Sequence, residues 1–138
     1  MQILHDGNLH WLCVSNVGCR KSEINYYDSL YGGNIQPHVQ KQIAAMQVHK
    51  ESDQIKVNVK PVQQQNNTVD CGVFAIAFIT HLSFGKEPSS LSLKQSSMRS
   101  HLTSCLENNA MTPFPQDEET TVTRCPKRTR VMVDIYCS

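Results

Sequence analysis

The sequence predicts one domain that mixes strands and helices, and three observations carry that expectation. Apolar and polar residues alternate through Ile55, Lys56, Val57, Asn58, Val59 and Lys60, the period of a half-buried strand. Val39, Ile43 and Met46 recur at i, i+4 and i+7, the spacing of one helix face. Residues 73–79 form an unbroken apolar run behind a polar loop, which is the profile of a buried helix. A chain of 138 residues suits a single domain with a real core.

Taken in order, residues 10–17 (HWLCVSNV) are apolar and β-compatible and read as a strand. Residues 18–22 are polar and turn-like. Residues 23–28 (EINYYD) read as the next strand, a hairpin partner of the first. Residues 29–34 contain Gly32 and Gly33 and form a turn. Pro37 fits the first position of a helix over 36–49, where its missing N–H costs little. The alternating strand follows, and Pro61 ends it.

The glutamine- and asparagine-rich loop then leads into the apolar helix. After a loop over 83–90, Met98, Leu102, Cys105 and Leu106 mark a second amphipathic helix. The expected domain covers residues 1–108. Residues 109–138 are polar, carry Pro113, Pro115 and Pro126, and read as an extended or disordered tail. Their apolar end, VMVDIYCS, reads as the start of a further element that is not completed.

Composition narrows the function classes. A formal net charge of +1 gives no argument for nucleic acid or an anionic membrane as partner. No apolar run approaches the ~20 residues of a membrane span. The opening, MQILHDGNLHW, lacks the basic and apolar regions of a signal peptide. An intracellular protein, nuclear or cytoplasmic, monomeric and not secreted, is the expectation. The 6 cysteines are irregularly spaced without a CxxC pair, so neither a redox motif nor a four-cysteine zinc site is supported. Cys13, Cys19 and Cys105 read as free, partly buried thiols. Cys125 and Cys137 allow only a weak reading as part of a metal module.

Cys71 stands apart, because it sits where the polar loop meets the apolar helix. A thiol there lies near the partial positive charge of a helix N-terminus, which favours the thiolate. A nucleophilic cysteine needs an imidazole, and the imidazole needs an orienting group. His81 lies on the same helix, ~15 Å along the axis, and is too far away. His101 reads as a surface residue, and His38 and His49 bracket a helix without a partner signal. His10 opens one strand of the expected hairpin and Asp28 closes the other, so the hairpin brings imidazole and carboxylate side by side. His5, beside Asp6, stays as a substitute base. Acyl transfer also needs oxyanion donors, and a side-chain amide from Gln63, Gln64 or Gln65 and the Cys71 N–H are candidates.

With His10-Trp11, Tyr27-Asp28-Ser29, Gln65 and Asp70-Cys71-Gly72 in that order, the sequence resembles the ubiquitin-like-protein-specific (SUMO/sentrin-specific) cysteine protease family. The likeness covers about residues 9–107. It implies an α+β, papain-like fold in which a central helix bearing the cysteine packs on a mainly antiparallel sheet carrying the histidine and aspartate. By this resemblance Cys71 is the nucleophile, His10 the general base and Asp28 the residue orienting the imidazole. Gln65, six positions before the cysteine, is the oxyanion donor, with Gln64 as fallback. Trp11 covers a narrow channel for the substrate's C-terminal Gly-Gly.

The family's domain also has a part upstream of its His-Trp pair, so an N-terminally truncated version is expected here. The implied activity is peptidase or isopeptidase cleavage after the Gly-Gly of a SUMO-type modifier, in precursors or conjugates, with no metal or cofactor. The alternative is an inactive, truncated, mobile-element-derived remnant that acts as a binding module.

Overall fold

The computed structural model describes residues 1–46, 54–117, 122–124 and 129–134. Five strands form one sheet in the order β1-β2-β3-β4-β5: β1 (Gln2–His5), β2 (Trp11–Ser15), β3 (Glu23–Tyr27), β4 (Gln54–Val59) and β5 (Thr129–Asp134). Three of its four pairings are antiparallel, and β3–β4 is parallel. That parallel step follows α1 (Pro37–Ala45), which crosses from one strand to the next. Helices α2 (Cys71–Ser83) and α3 (Gln95–Glu107) follow β4, with a short 3₁₀ turn at Pro88–Ser90 between them. The mixed α+β, papain-like class implied by the sequence is the class observed.

Strand alternation splits the core into two layers. Leu12 and Val14 of β2, Ile24 and Tyr26 of β3, and Ile55, Val57 and Val59 of β4 pack with Val39 and Ile43 of α1. On the opposite face, Cys13 and Tyr27 pack with Phe74 and Phe78 of α2 and Met98 of α3. Successive strand side chains point to opposite faces, so one sheet serves both layers. The apolar run of α2 is buried from both sides of the helix, as its near-continuous hydrophobicity requires.

Several sequence expectations change. The chain's first strand, β1, pairs with β2 from Gln2 opposite Val14 to His5 opposite Trp11. Its Gln-Ile-Leu-His run is too short to announce itself. The chain beyond residue 108 is not simply a tail. Phe114 is buried in the second layer, and Thr129–Asp134 pairs with β4 along its length as the sheet's fifth strand. Val131 and Val133 supply the alternation, but polar, proline-rich sequence before them masks it.

Met98 and Cys105 of the α3 stripe are buried, whereas Leu106 is exposed. Leu106 falls about 80° around the axis from Met98, at 100° per residue. His49, Cys125 and Cys137 lie outside the described residues.

Candidate active site

The β1–β2 hairpin positions His10. Asp6 N–H donates to the His10 carbonyl at 3.0 Å, and Asp6 Oδ1 accepts from the backbone N–H of Asn8 at 2.8 Å and of His10 at 3.1 Å. Gly7 makes the turn at φ +84°, where a side chain would be strained, and a Cβ there would stand 3.0 Å from the His38 ring and crowd it. His10 therefore leaves a tightly tied loop just as β2 begins.

Asp28 follows β3, whose Tyr27 is registered opposite Cys13 of β2. Its Oδ1 meets His10 Nε2 at 2.6 Å. The carboxylate is itself fixed: Oδ2 accepts from the Tyr26 hydroxyl at 3.0 Å and Oδ1 from the Leu30 N–H at 2.9 Å. With Nε2–H committed to Asp28, the neutral ring presents Nδ1 as its acceptor. Nδ1 is buried and has no hydrogen-bond partner among the described residues. Burial alone would lower the imidazole pKa. The hydrogen bond and charge of Asp28, joined by the neighbouring Cys71, outweigh it and raise the value to about 9.

Cys71 begins α2, 5% exposed, with its thiol donating weakly to the Leu9 carbonyl at 3.7 Å. Cys13 is fully buried, and desolvation pushes its thiol up to about 12.

The three glutamines before the helix face three ways. Gln63 brackets Leu93 with both amide atoms. Gln64 donates to the Asp28 carbonyl at 2.9 Å and accepts from Tyr31 N–H at 3.0 Å, so it braces the turn after β3. Gln65 is 7% exposed. Its Nε2 donates to the Asn67 carbonyl at 2.8 Å, and its Oε1 accepts from the Ser29 hydroxyl at 2.5 Å. The Asn67 carbonyl can only accept, which fixes which end of the amide is nitrogen. Nε2 has two hydrogens, and one is used on Asn67.

A cleft of about 840 Å³ opens over these groups, lined by His10, Trp11, Cys71, Gly72 and apolar residues including Leu30, Val69, Ile76, Leu102 and Leu106. Gln65 and Asp28 do not line it. Trp11 is 45% exposed, with its ring centroid 4.4 Å from that of His5. A Cβ on Gly72 would lie 3.7 Å from Trp11 Cδ1, an ordinary contact. Leu9 and Val69 form exposed apolar lips.

The structure thus brings His10, Asp28 and Cys71 together, sets Trp11 at the cleft wall and leaves Gln65 out of the cleft lining. His81 is wholly buried and accepts the Phe114 N–H at 2.9 Å, far from this chemistry in role. Sequence reasoning missed Tyr26, Gln95 and Arg99, and had Ser29 only as part of the Tyr27-Asp28-Ser29 motif. Strand periodicity could have found Tyr26, which shares a face with Asp28 two residues on. Gln95 and Arg99 contact the nucleophile loop across a sequence gap that no local pattern bridges.

Among the described residues, no group of three or more His, Cys, Asp or Glu side chains could hold a metal ion. No described helix is long and apolar enough to cross a membrane. A family model described as the Ulp1 protease family, C-terminal catalytic domain, matches residues 1–111. No curated protein and no solved structure gives a match.

Proposed function

The chain belongs to the Ulp1 protease family of cysteine peptidases, and from that membership we propose that Cys71, His10 and Asp28 form its catalytic triad. The observation that carries this reading is the 2.6 Å bond between His10 Nε2 and Asp28, which leaves Nδ1 for the thiol at the start of α2. In the proposed reaction Nδ1 takes the Cys71 proton, and the thiolate attacks the carbonyl carbon of the terminal glycine of a SUMO-type modifier. The Cys71 N–H and the second Nε2 hydrogen of Gln65 receive the negative oxygen. The imidazolium returns its proton to the leaving amine as the thioester forms. His10 then deprotonates a water that attacks the thioester and releases Cys71 and the free carboxylate.

Trp11 is proposed to cover the segment of the cleft that accepts Gly-Gly, where a side chain on the substrate would collide with the indole. The partners are a SUMO-type modifier and its precursors or conjugates. The pairing of β5 with β4 supports a catalytic unit that extends beyond residue 108. An intracellular location, nuclear or cytoplasmic, is proposed because the thiolate chemistry needs a reduced Cys71.

The test is hydrolysis of a SUMO-type modifier bearing a fluorogenic amide after its terminal glycine. Turnover that disappears in Cys71→Ala and falls when the terminal Gly-Gly is changed to Ala-Ala is expected. A folded wild-type protein without turnover on any ubiquitin-like substrate would favour the binding-module alternative.

A further inference from the structure

The loop over residues 65–71 carries Gln65 at one end and Cys71 at the other, and apolar packing does little to hold it. Val69 is 67% exposed, and residues 66–69 are all exposed. Its shape is held by polar ties. Asn67 Oδ1 accepts from the backbone N–H of Val69 and of Asp70, each at 3.1 Å. The Asp70 carboxylate, immediately before the nucleophile, then collects three side chains. Oδ2 accepts from Asn67 Nδ2 at 2.8 Å and Gln95 Nε2 at 2.9 Å, and Oδ1 accepts from Arg99 Nε at 2.7 Å. Arg99 Nη2 also donates to the Val69 carbonyl at 2.9 Å, and Gln95 Oε1 accepts the Asn66 N–H at 3.1 Å.

Gln95 and Arg99 are one helical turn apart on α3, so they present their groups to the loop from a single rigid face. Asp70 does not cap α2 with its side chain. Its carbonyl instead accepts the Phe74 N–H at 3.0 Å, which starts the helix, while its carboxylate reaches across to α3. A displacement of the Val69–Asp70 segment therefore moves the Cys71 N–H, its thiol and the span back to Gln65 together.

We propose that Arg99 is a positioning residue: its guanidinium grips the Asp70 carboxylate and the Val69 carbonyl and thereby sets the nucleophile loop against α3. Two donors of one planar group satisfy two differently placed acceptors. A lysine ammonium keeps the charge but not this fork. Arg99 also lines the cleft. This inference rests on Cys71 and Gln65 having the roles proposed above.

The experiment compares wild type, Arg99→Ala, Arg99→Lys, Asp70→Ala and the Arg99→Ala/Asp70→Ala pair. It reads kcat and KM on the fluorogenic substrate and hydrogen exchange of the amides of residues 66–71. Arg99→Ala is expected to lower kcat about 10- to 100-fold, the scale of a slight misplacement of reacting groups, with KM changed less than about threefold. Loop amides should exchange faster while those of β2 and β3 stay unchanged. Arg99→Lys should recover only a minor part of the rate, and Arg99→Ala should cost little more once Asp70 is alanine.

A kcat within about twofold of wild type, or losses that add fully in the double variant, would overturn the proposal. The exchange measurement needs no turnover. An inactive wild type would count against the proposed reaction, while unchanged loop exchange in Arg99→Ala would separately defeat the positioning role.

Discussion

The two halves of the site are built in different ways. The half holding His10 and Asp28 is a product of strand register. A hairpin turn closed by Asp6 delivers the histidine, the next strand delivers the aspartate, and Tyr26 and Leu30 fix the carboxylate within a few residues of it. The half holding Gln65 and Cys71 is an exposed loop tied by polar side chains to a helix that comes well after it in sequence. Backbone ladders tolerate side-chain changes, because neighbouring pairs keep the register. A loop held by side-chain hydrogen bonds depends on each of them. The base half should be robust to everything except its own catalytic groups, and the nucleophile half should be sensitive to remote substitutions.

The largest effect expected on this contrast is the removal of either reacting group. His10→Ala should lower kcat/KM by about 10³-fold or more while the fold persists, as checked by circular dichroism and turnover on the same sample. Asp28→Asn should cost somewhat less, about 10²- to 10³-fold, by unsettling the ring tautomer. Gln65→Ala should lower kcat about 10²-fold with little change in KM, the scale of a lost oxyanion donor. Steady-state kinetics on the fluorogenic amide checks both, and a rate for Gln65→Ala near wild type would remove that residue from the oxyanion site.

The pH dependence separates the halves without a mutation. With its pKa raised to about 9, His10 keeps the proton it takes from Cys71 across neutral pH and holds it for the leaving amine. Activity should therefore fall as pH rises through about 9. The same pair contributes stability that is complete below the ordinary histidine value of 6.5 and is lost as pH rises through about 9. Melting curves should show this alkaline loss in wild type and a smaller one in Asp28→Asn.

His81 has the opposite sign. Burial, with help from Lys86 and His101, holds its pKa below 6.5, so its contribution is present above that value and lost as pH falls. The smallest expected effect is Tyr26→Phe, which removes one donor to Asp28. It should cost about 0.5–1.5 kcal/mol of stability by denaturant titration, with turnover lowered only modestly.

How much of this was legible in the sequence follows the same division. His10, Asp28 and Cys71 could be placed because a hairpin and a loop-to-helix junction are local patterns, and local patterns survive in sequence. Helices α1, α2 and α3 and strands β2, β3 and β4 were legible for the same reason. β1 was too short for periodicity to register. β5 was hidden because its pairing with β4 joins Thr129 to Val59 across about half of the chain. The docking of Phe114 was equally hidden, since a single aromatic between prolines carries no period. Gln65 was separable from Gln63 and Gln64 only by family resemblance, and the three amides differ solely in long-range partners such as Leu93, Tyr31 and Ser29. Arg99 carries no local signal, because its partners Asp70 and Val69 lie about 30 residues earlier in the chain.

The most direct measurement of the central claim is covalent capture by a SUMO-type modifier whose C-terminal glycine carries a thiol-reactive electrophile, read by peptide mapping. One adduct is expected, on Cys71 and not on Cys13, Cys19 or Cys105, formed rapidly at neutral pH and strongly slowed in His10→Ala. Equal labelling of Cys71 in wild type and His10→Ala would contradict it, as would no adduct on the folded wild-type chain.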